Sequence, residues 1–65
     1  MTLQKRILDK MNDERSSWTS TDMSKALGVS HEEVKAEVLS MAANGQVNAL
    51  DYGGIINFGI IHKGS

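Results

Sequence analysis

Residues 19–45 constrain the fold of this 65-residue chain most, because they contain two helical patterns separated by one glycine. In the second pattern, Ser30 can accept a hydrogen bond from the first helical turn, and Glu33 stands where a capping box has its reciprocal partner. Apolar residues then recur at i, i+4 and i+7, the spacing of one helix face: Val34, Val38 and Met41. Gly45 can adopt the left-handed conformation that ends a helix. We therefore expect a helix over residues 31–44.

The preceding segment follows the same rules and predicts a helix over residues 20–27. Thr19 can cap this helix, and Asp22 follows three residues later. A short apolar face consists of Met23, Ala26 and Leu27. Gly28 then marks a tight turn. Two helices joined by such a turn form the helix-turn-helix unit, whose second helix faces the partner.

The N-terminal segment predicts a further helix over residues 3–13. Thr2 can cap it, and the residues on its apolar face recur at helical spacing: Leu3, Ile7, Leu8 and Met11. The other side of this helix carries Lys5, Arg6, Asp9 and Lys10, an ordinary solvated face. A polar loop follows, and Trp18 is expected in a short strand that packs against a hairpin.

After Gly45 the pattern changes to the alternation of β-strands, over residues 46–61. The Gly53-Gly54 pair suits a two-residue hairpin turn, and counting outward from it opposes Tyr52 to Ile55 and, at the far end, Val47 to Ile60. Alternate residues share a face, so this register aligns apolar residues on one side: Val47, Ala49, Ile56, Phe58 and Ile60. The other side carries Asn48, Asn57 and Gly59.

The run DMSKALGVSHEEVKAEVLSMAANGQV resembles the winged helix-turn-helix superfamily: an acidic residue, small and aliphatic positions, a Leu-Gly turn, and a helix that closes on a glycine before a strand. The resemblance covers nearly the whole chain. It implies an α+β fold of three helices and a small antiparallel β-hairpin wing, in the order helix, strand, helix, helix, strand, strand. It also implies double-stranded DNA as the partner, as in small bacterial or phage transcriptional regulators.

The layout is also similar to that of domains that bind left-handed Z-form nucleic acid. Those domains use an Asn and a Tyr on the third helix, and a Trp and prolines in the wing. At the matching positions this chain has Lys35 and Leu39, and its hairpin has Phe58 and no proline. The Z-binding residues are therefore absent, and the resemblance is one of layout.

Composition narrows the classes of function. The formal net charge is −1 and the pI is near 6.0, whereas a domain that binds nucleic acid alone is usually basic. We therefore expect one copy to bind DNA weakly. The chain has no cysteine, and its two histidines, His31 and His62, do not have metal-ligand spacing. We expect one cytoplasmic domain that contacts no membrane, is not an enzyme, and needs no metal or cofactor.

If the third helix enters the major groove, the residues expected to contact DNA are polar ones on the helix-turn-helix and one aromatic on the wing: Lys25, Ser30, His31, Lys35, Ser40 and Tyr52. Lys25 would contact the backbone and Tyr52 would lie near the wing contact. At the start of the third helix, His31 is more typical of a surface residue than of a ligand or a base. Glu32 and Glu33 are explained by the helix dipole, which favours acids in the first turn.

The alternative is a protein-interaction module with little or no DNA binding, whose partner is another protein or a second copy of the chain. The wing has no cation to meet a phosphate, and it carries exposed apolar residues instead, a property typical of protein contacts. The residues of this alternative surface are Leu39, Ala43, Leu50, Tyr52 and Ile55. Surplus aliphatic residues on a small sheet would explain them equally well.

Overall fold

The computed structural model describes residues 2–61; Met1 and residues 62–65, which include His62, lie outside the described residues. Its elements are α1 (Leu3–Asp13), β1 (Ser17–Thr19), α2 (Ser20–Leu27), α3 (His31–Ala43), β2 (Val47–Tyr52) and β3 (Ile55–Ile60). This is the α+β layout of a winged helix with a β-hairpin wing, as predicted. None of the three helices in residues 2–61 has both the length and the apolar character needed to cross a bilayer.

The helices begin and end where local chemistry favours it. Thr2, Thr19 and Ser30 each accept a hydrogen bond at their side-chain oxygen from the N–H three residues later, which satisfies one of the unpaired donors of a first turn. Gly28, with φ of 68°, ends α2, and Gly45, with φ of 79°, follows α3. The N–H of Gln46 donates to the Met41 oxygen at 2.9 Å, which closes the last turn of α3. α3 ends at Ala43, one residue before the predicted end.

The three strands form an antiparallel sheet in the order β1-β3-β2. The predicted hairpin register is confirmed from Tyr52 opposite Ile55 to Val47 opposite Ile60. Gly53 and Gly54 have φ of 61° and 93°, as a type I′ turn requires at both central positions. Trp18 lies opposite Phe58 on the other side of β3, so the prediction that it packs against the hairpin is confirmed.

All six elements contribute to one apolar core. Its buried members are Ile7, Met11, Trp18, Met23, Val34, Val38, Met41, Val47, Ile56 and Phe58. Each was expected on an apolar face of a helix or strand, or packed against the hairpin. The sheet therefore has an inner face that covers the helices and an outer face that carries Asn48, Asn57 and Gly59, as predicted from the alternation.

Ser20 completes the hydrogen bonding of the central strand. The N–H of Ile60 donates to the Ser16 oxygen on the β1 side at 3.0 Å, and the N–H of Ile56 points to the same side. β1 stops opposite Asn57, so no β1 carbonyl is available to Ile56. The Ser20 hydroxyl accepts that N–H at 3.0 Å and is itself fully buried. The Ser20 side chain thus replaces the backbone carbonyl that the short strand β1 does not offer to the Ile56 N–H.

Replacement of Ser20 by alanine should destabilise the fold by about 1–3 kcal/mol, because a buried N–H of the central strand would lose its acceptor. Chemical denaturation followed by circular dichroism measures the change. Ser24→Ala is the matched control: Ser24 is also buried, but its hydroxyl donates only to the Thr21 oxygen of the same helix at 2.8 Å. Equal losses for the two variants would contradict this role of Ser20.

Candidate nucleic-acid and protein-contact surfaces

The outward face of α3 is open to solvent. Val34, Val38 and Met41 are buried, and the opposite side of the helix is exposed: Glu32, Glu33, Ala36, Leu39, Ser40 and Ala43. Lys35 and Glu37 lie half-buried at its two flanks. The second helix of the helix-turn-helix therefore presents a continuous surface on which only Ser40 and the flanking Lys35 carry a hydrogen-bond donor.

Ser30 and His31, two of the residues predicted to contact DNA, make contacts within the chain. The Ser30 hydroxyl accepts from the Glu33 N–H at 3.2 Å. Within residues 2–61 the Glu33 carboxylate makes no return bond, so only half of the expected capping box is formed. His31 Nε2 lies 2.7 Å from the Ser20 hydroxyl oxygen. The same hydroxyl accepts from the Ile56 N–H, and the tautomer of the imidazole decides whether it donates to Nε2 or accepts from it.

The contact between Ser20 and His31 joins three elements at one buried oxygen. It links the first residue of α2, the first residue of α3 and the central strand. The residue pattern contained one signal of it: Ser20 lies two positions after Trp18, so it continues the inward face of β1. The cap at Thr19 also predicts that Ser20 begins a helix, so the sequence alone does not show that Ser20 continues the strand pattern.

Most cations are engaged by groups of the same chain. Lys5 pairs with Asp9 at 3.3 Å, Lys10 with Glu14 at 2.7 Å, and Arg15 with Asp22 at 3.2 Å. The prediction that Arg6 belongs to a solvated face is wrong: Arg6 is half-buried, and its Nη2 donates to the Leu27 oxygen at 2.9 Å. The reason is that α1 packs beside the end of α2, where a carbonyl is free to accept.

Lys25 and Lys35 are the exceptions. Within residues 2–61 neither of them makes an ion pair or a side-chain hydrogen bond. Lys25 is exposed on α2 and Lys35 is half-buried on α3. In residues 2–61, the two cations without a partner in the chain therefore both lie on the helix-turn-helix.

Arg15 packs against the buried side chain of Trp18, a contact that the sequence did not predict. The Arg15 guanidinium carbon lies 4.1 Å from the centre of the Trp18 ring, a distance typical of a cation–π contact. Trp18 Nε1 donates to the Arg15 oxygen at 2.7 Å. Because Arg15 also pairs with Asp22, the loop before β1 is tied to α2.

The wing is apolar and almost uncharged. Asp51 is the single charged side chain in residues 47–60, and its Oδ1 accepts from the Gly54 N–H at 2.9 Å. Leu50 and Tyr52 are each 60% exposed and Ile55 is 42% exposed. Tyr52 is paired with Ile55, and Leu50 with Asn57, in the register of the outer face. We call Leu50, Tyr52 and Ile55 the outer-face patch.

Leu39 and Ala43, the other members of the predicted apolar surface, lie on α3. Leu39 is 51% exposed. The helices cover the inner face of the sheet and the outer-face patch lies on its other face, so the structure separates these residues into two groups. A single surface that contains both groups stays a prediction.

The comparisons with known proteins gave no match to a family model, to a curated protein or to a solved structure. Within residues 2–61, no three His, Asp or Glu side chains converge on a point that could hold a metal ion.

Substitutions at the two glycines of the hairpin turn, which lies between Tyr52 and Ile55, should differ in their effect on the unfolding free energy. A Cβ at either glycine would meet no atom within 4 Å, so the effect comes from the backbone alone. Gly54→Ala, at φ of 93°, should cost roughly 1–2 kcal/mol in unfolding free energy. Gly53→Asn should be nearly neutral, because Asn-Gly is favoured in type I′ turns. Thermal denaturation compares them; a larger loss for Gly53→Asn would contradict the turn type.

Proposed function

We propose that this protein is a small winged-helix DNA-binding protein, a transcriptional regulator or accessory factor that contacts duplex DNA through α3. The observation that supports it is the location of Lys25 and Lys35: the two cations left without a partner in residues 2–61 both lie on the helix-turn-helix. Such a unit places its second helix in the major groove. A cytoplasmic location is part of this proposal.

The contacts divide between the DNA backbone and the bases. In this proposal Lys25 contacts a phosphate, and Lys35 reaches the groove by extending its apolar stem along α3. Ser40, which is exposed, donates to a base edge, and Tyr52 lies near the wing contact. Ser30 and His31 position α3 rather than contact bases, because their side-chain oxygen and Nε2 already have partners.

Binding by one copy should be weak and only moderately sensitive to salt. Each neutralised phosphate contributes about 0.9 to the slope of log K against log salt concentration, and the helix-turn-helix offers few cations. The exposed Glu32 and Glu33 of the same helix add repulsion where they approach phosphate. A slope close to that for two phosphates is therefore expected.

Fluorescence polarisation with a labelled mixed-sequence duplex, at several low salt concentrations, tests this proposal. Lys25→Ala and Lys35→Ala should each weaken binding and lower the salt slope by about 1. Lys5→Ala is the matched control, because Lys5 is exposed but paired with Asp9, and it should leave the slope unchanged. Lack of binding by the unmodified chain at low salt, or equal effects of all three variants, would refute the proposal.

A second candidate is a protein-interaction module, and a specific observation favours it. The wing has no cation, and four large apolar side chains remain exposed in residues 2–61: Leu39, Leu50, Tyr52 and Ile55. Ala43, also exposed, lies one helical turn after Leu39 on α3. Exposed apolar groups of this kind contact another protein or a second copy of the chain.

A further inference from the structure

The sheet described in residues 2–61 has two edge strands, β1 and β2, and β2 is the longer, with six residues against three. In the order β1-β3-β2, β2 has β3 on one side, and no strand of residues 2–61 on the other. The N–H groups of Ile56 and Ile60 donate on the β1 side of β3. By alternation, Ile55, Asn57 and Gly59 bond to β2, through their partners Tyr52, Leu50 and Asn48. The backbone N–H and C=O groups of residues 47, 49 and 51 therefore point away from the sheet.

This edge has only one of the features that usually prevent strand pairing, the charged residue Asp51, which lies at its turn end. Natural edge strands carry lysine or proline, contain a bulge, or are very short. β2 is six residues long, and its pairing with β3 is regular throughout. Its single charged side chain, Asp51, is held in the turn by the Gly54 N–H. The edge is thus open to another strand of matching length.

We propose that a second copy of this chain pairs with this edge, β2 against β2 in antiparallel orientation, to give a continuous six-stranded sheet. The register places Leu50 opposite Leu50 of the second copy on the twofold axis, and Tyr52 opposite Asn48. Asp51 then lies opposite Ala49. This inference rests on the second candidate function, of which it uses the outer-face patch on the wing and not Leu39 or Ala43 of α3, and it does not depend on DNA binding.

The neighbouring registers are less favourable. A shift of two residues in one direction places Asp51 opposite Asp51 of the second copy, and like charges directly opposite one another destabilise a sheet. A shift in the other direction places Leu50 opposite Asn48 and loses the apolar pair on the axis. In the proposed register the two 60% exposed side chains of each copy, Leu50 and Tyr52, form one row across the outer face.

The size of this interface predicts a weak dimer. The strand edges and the four side chains of the row would bury on the order of 1,000 Å² in total, just below the usual range of stable specific interfaces. We therefore expect a dissociation constant of about 10–100 µM. At higher concentrations the molecular mass should approach twice the 7.1 kDa of one chain.

Disulfide trapping tests the register directly, because the chain has no cysteine of its own. In Leu50→Cys the two introduced residues would be a non-hydrogen-bonded pair with Cα atoms about 4.5 Å apart, which a disulfide can span. Tyr52→Cys is the matched control: it is equally exposed on the same face but lies away from the axis. Under a glutathione redox buffer, Leu50→Cys should crosslink at least fivefold faster. Equal rates, or no crosslinking at Leu50→Cys, would overturn the proposal.

Sedimentation equilibrium gives an independent measurement without cysteine. Leu50→Lys should raise the dissociation constant at least tenfold, because it brings two cations together on the axis. Leu39→Lys, at a site of similar exposure on α3, should leave it unchanged, and circular dichroism checks that both variants fold. A dimer disrupted by Leu39→Lys alone, or an unmodified chain that stays monomeric at 1 mM, would overturn the proposal. A separate measurement of DNA binding shows whether the DNA-binding function fails independently of the dimer.

Discussion

The fold depends on the central strand β3 being hydrogen-bonded along both of its edges. β2 satisfies one edge completely, but β1 is only three residues long and stops opposite Asn57. At the next hydrogen-bonding position of β3, the buried hydroxyl of Ser20 accepts the Ile56 N–H. Because Ile56 and Phe58 of β3 supply much of the sheet's contribution to the core, this hydrogen bond holds the sheet against the helices.

The same hydroxyl also determines how the helix-turn-helix is placed. Its contact with His31 Nε2 fixes the start of α3 relative to the start of α2 and to the sheet. Arg6 adds a second connection, because it joins α1 to the carbonyl that ends α2. With these ends fixed, the side of α3 that faces solvent is decided, and with it the set of residues available to a partner.

The distribution of charge and apolar surface explains why two functions are proposed for one small chain. Four of the six cations in the described residues are engaged within the chain, so only two remain without a partner of their own. The two others lie on the helix-turn-helix, whereas the wing is apolar and almost uncharged. The DNA-binding proposal uses the first surface together with Tyr52 of the wing, and the pairing proposal uses the second.

The sequence by itself determined the elements, their order, the hairpin register and the identity of the core residues. Each of these depends on interactions between residues close in the chain: helical spacing, strand alternation, side-chain caps, and glycines at positive φ such as Gly28 and Gly53. The tertiary structure alone decided the contact of Ser20 with His31, the bond from Arg6 to Leu27, and the position of β2 at an edge of the sheet. These depend on which distant segments pack together, and no local pattern encodes the distance between side chains on different elements.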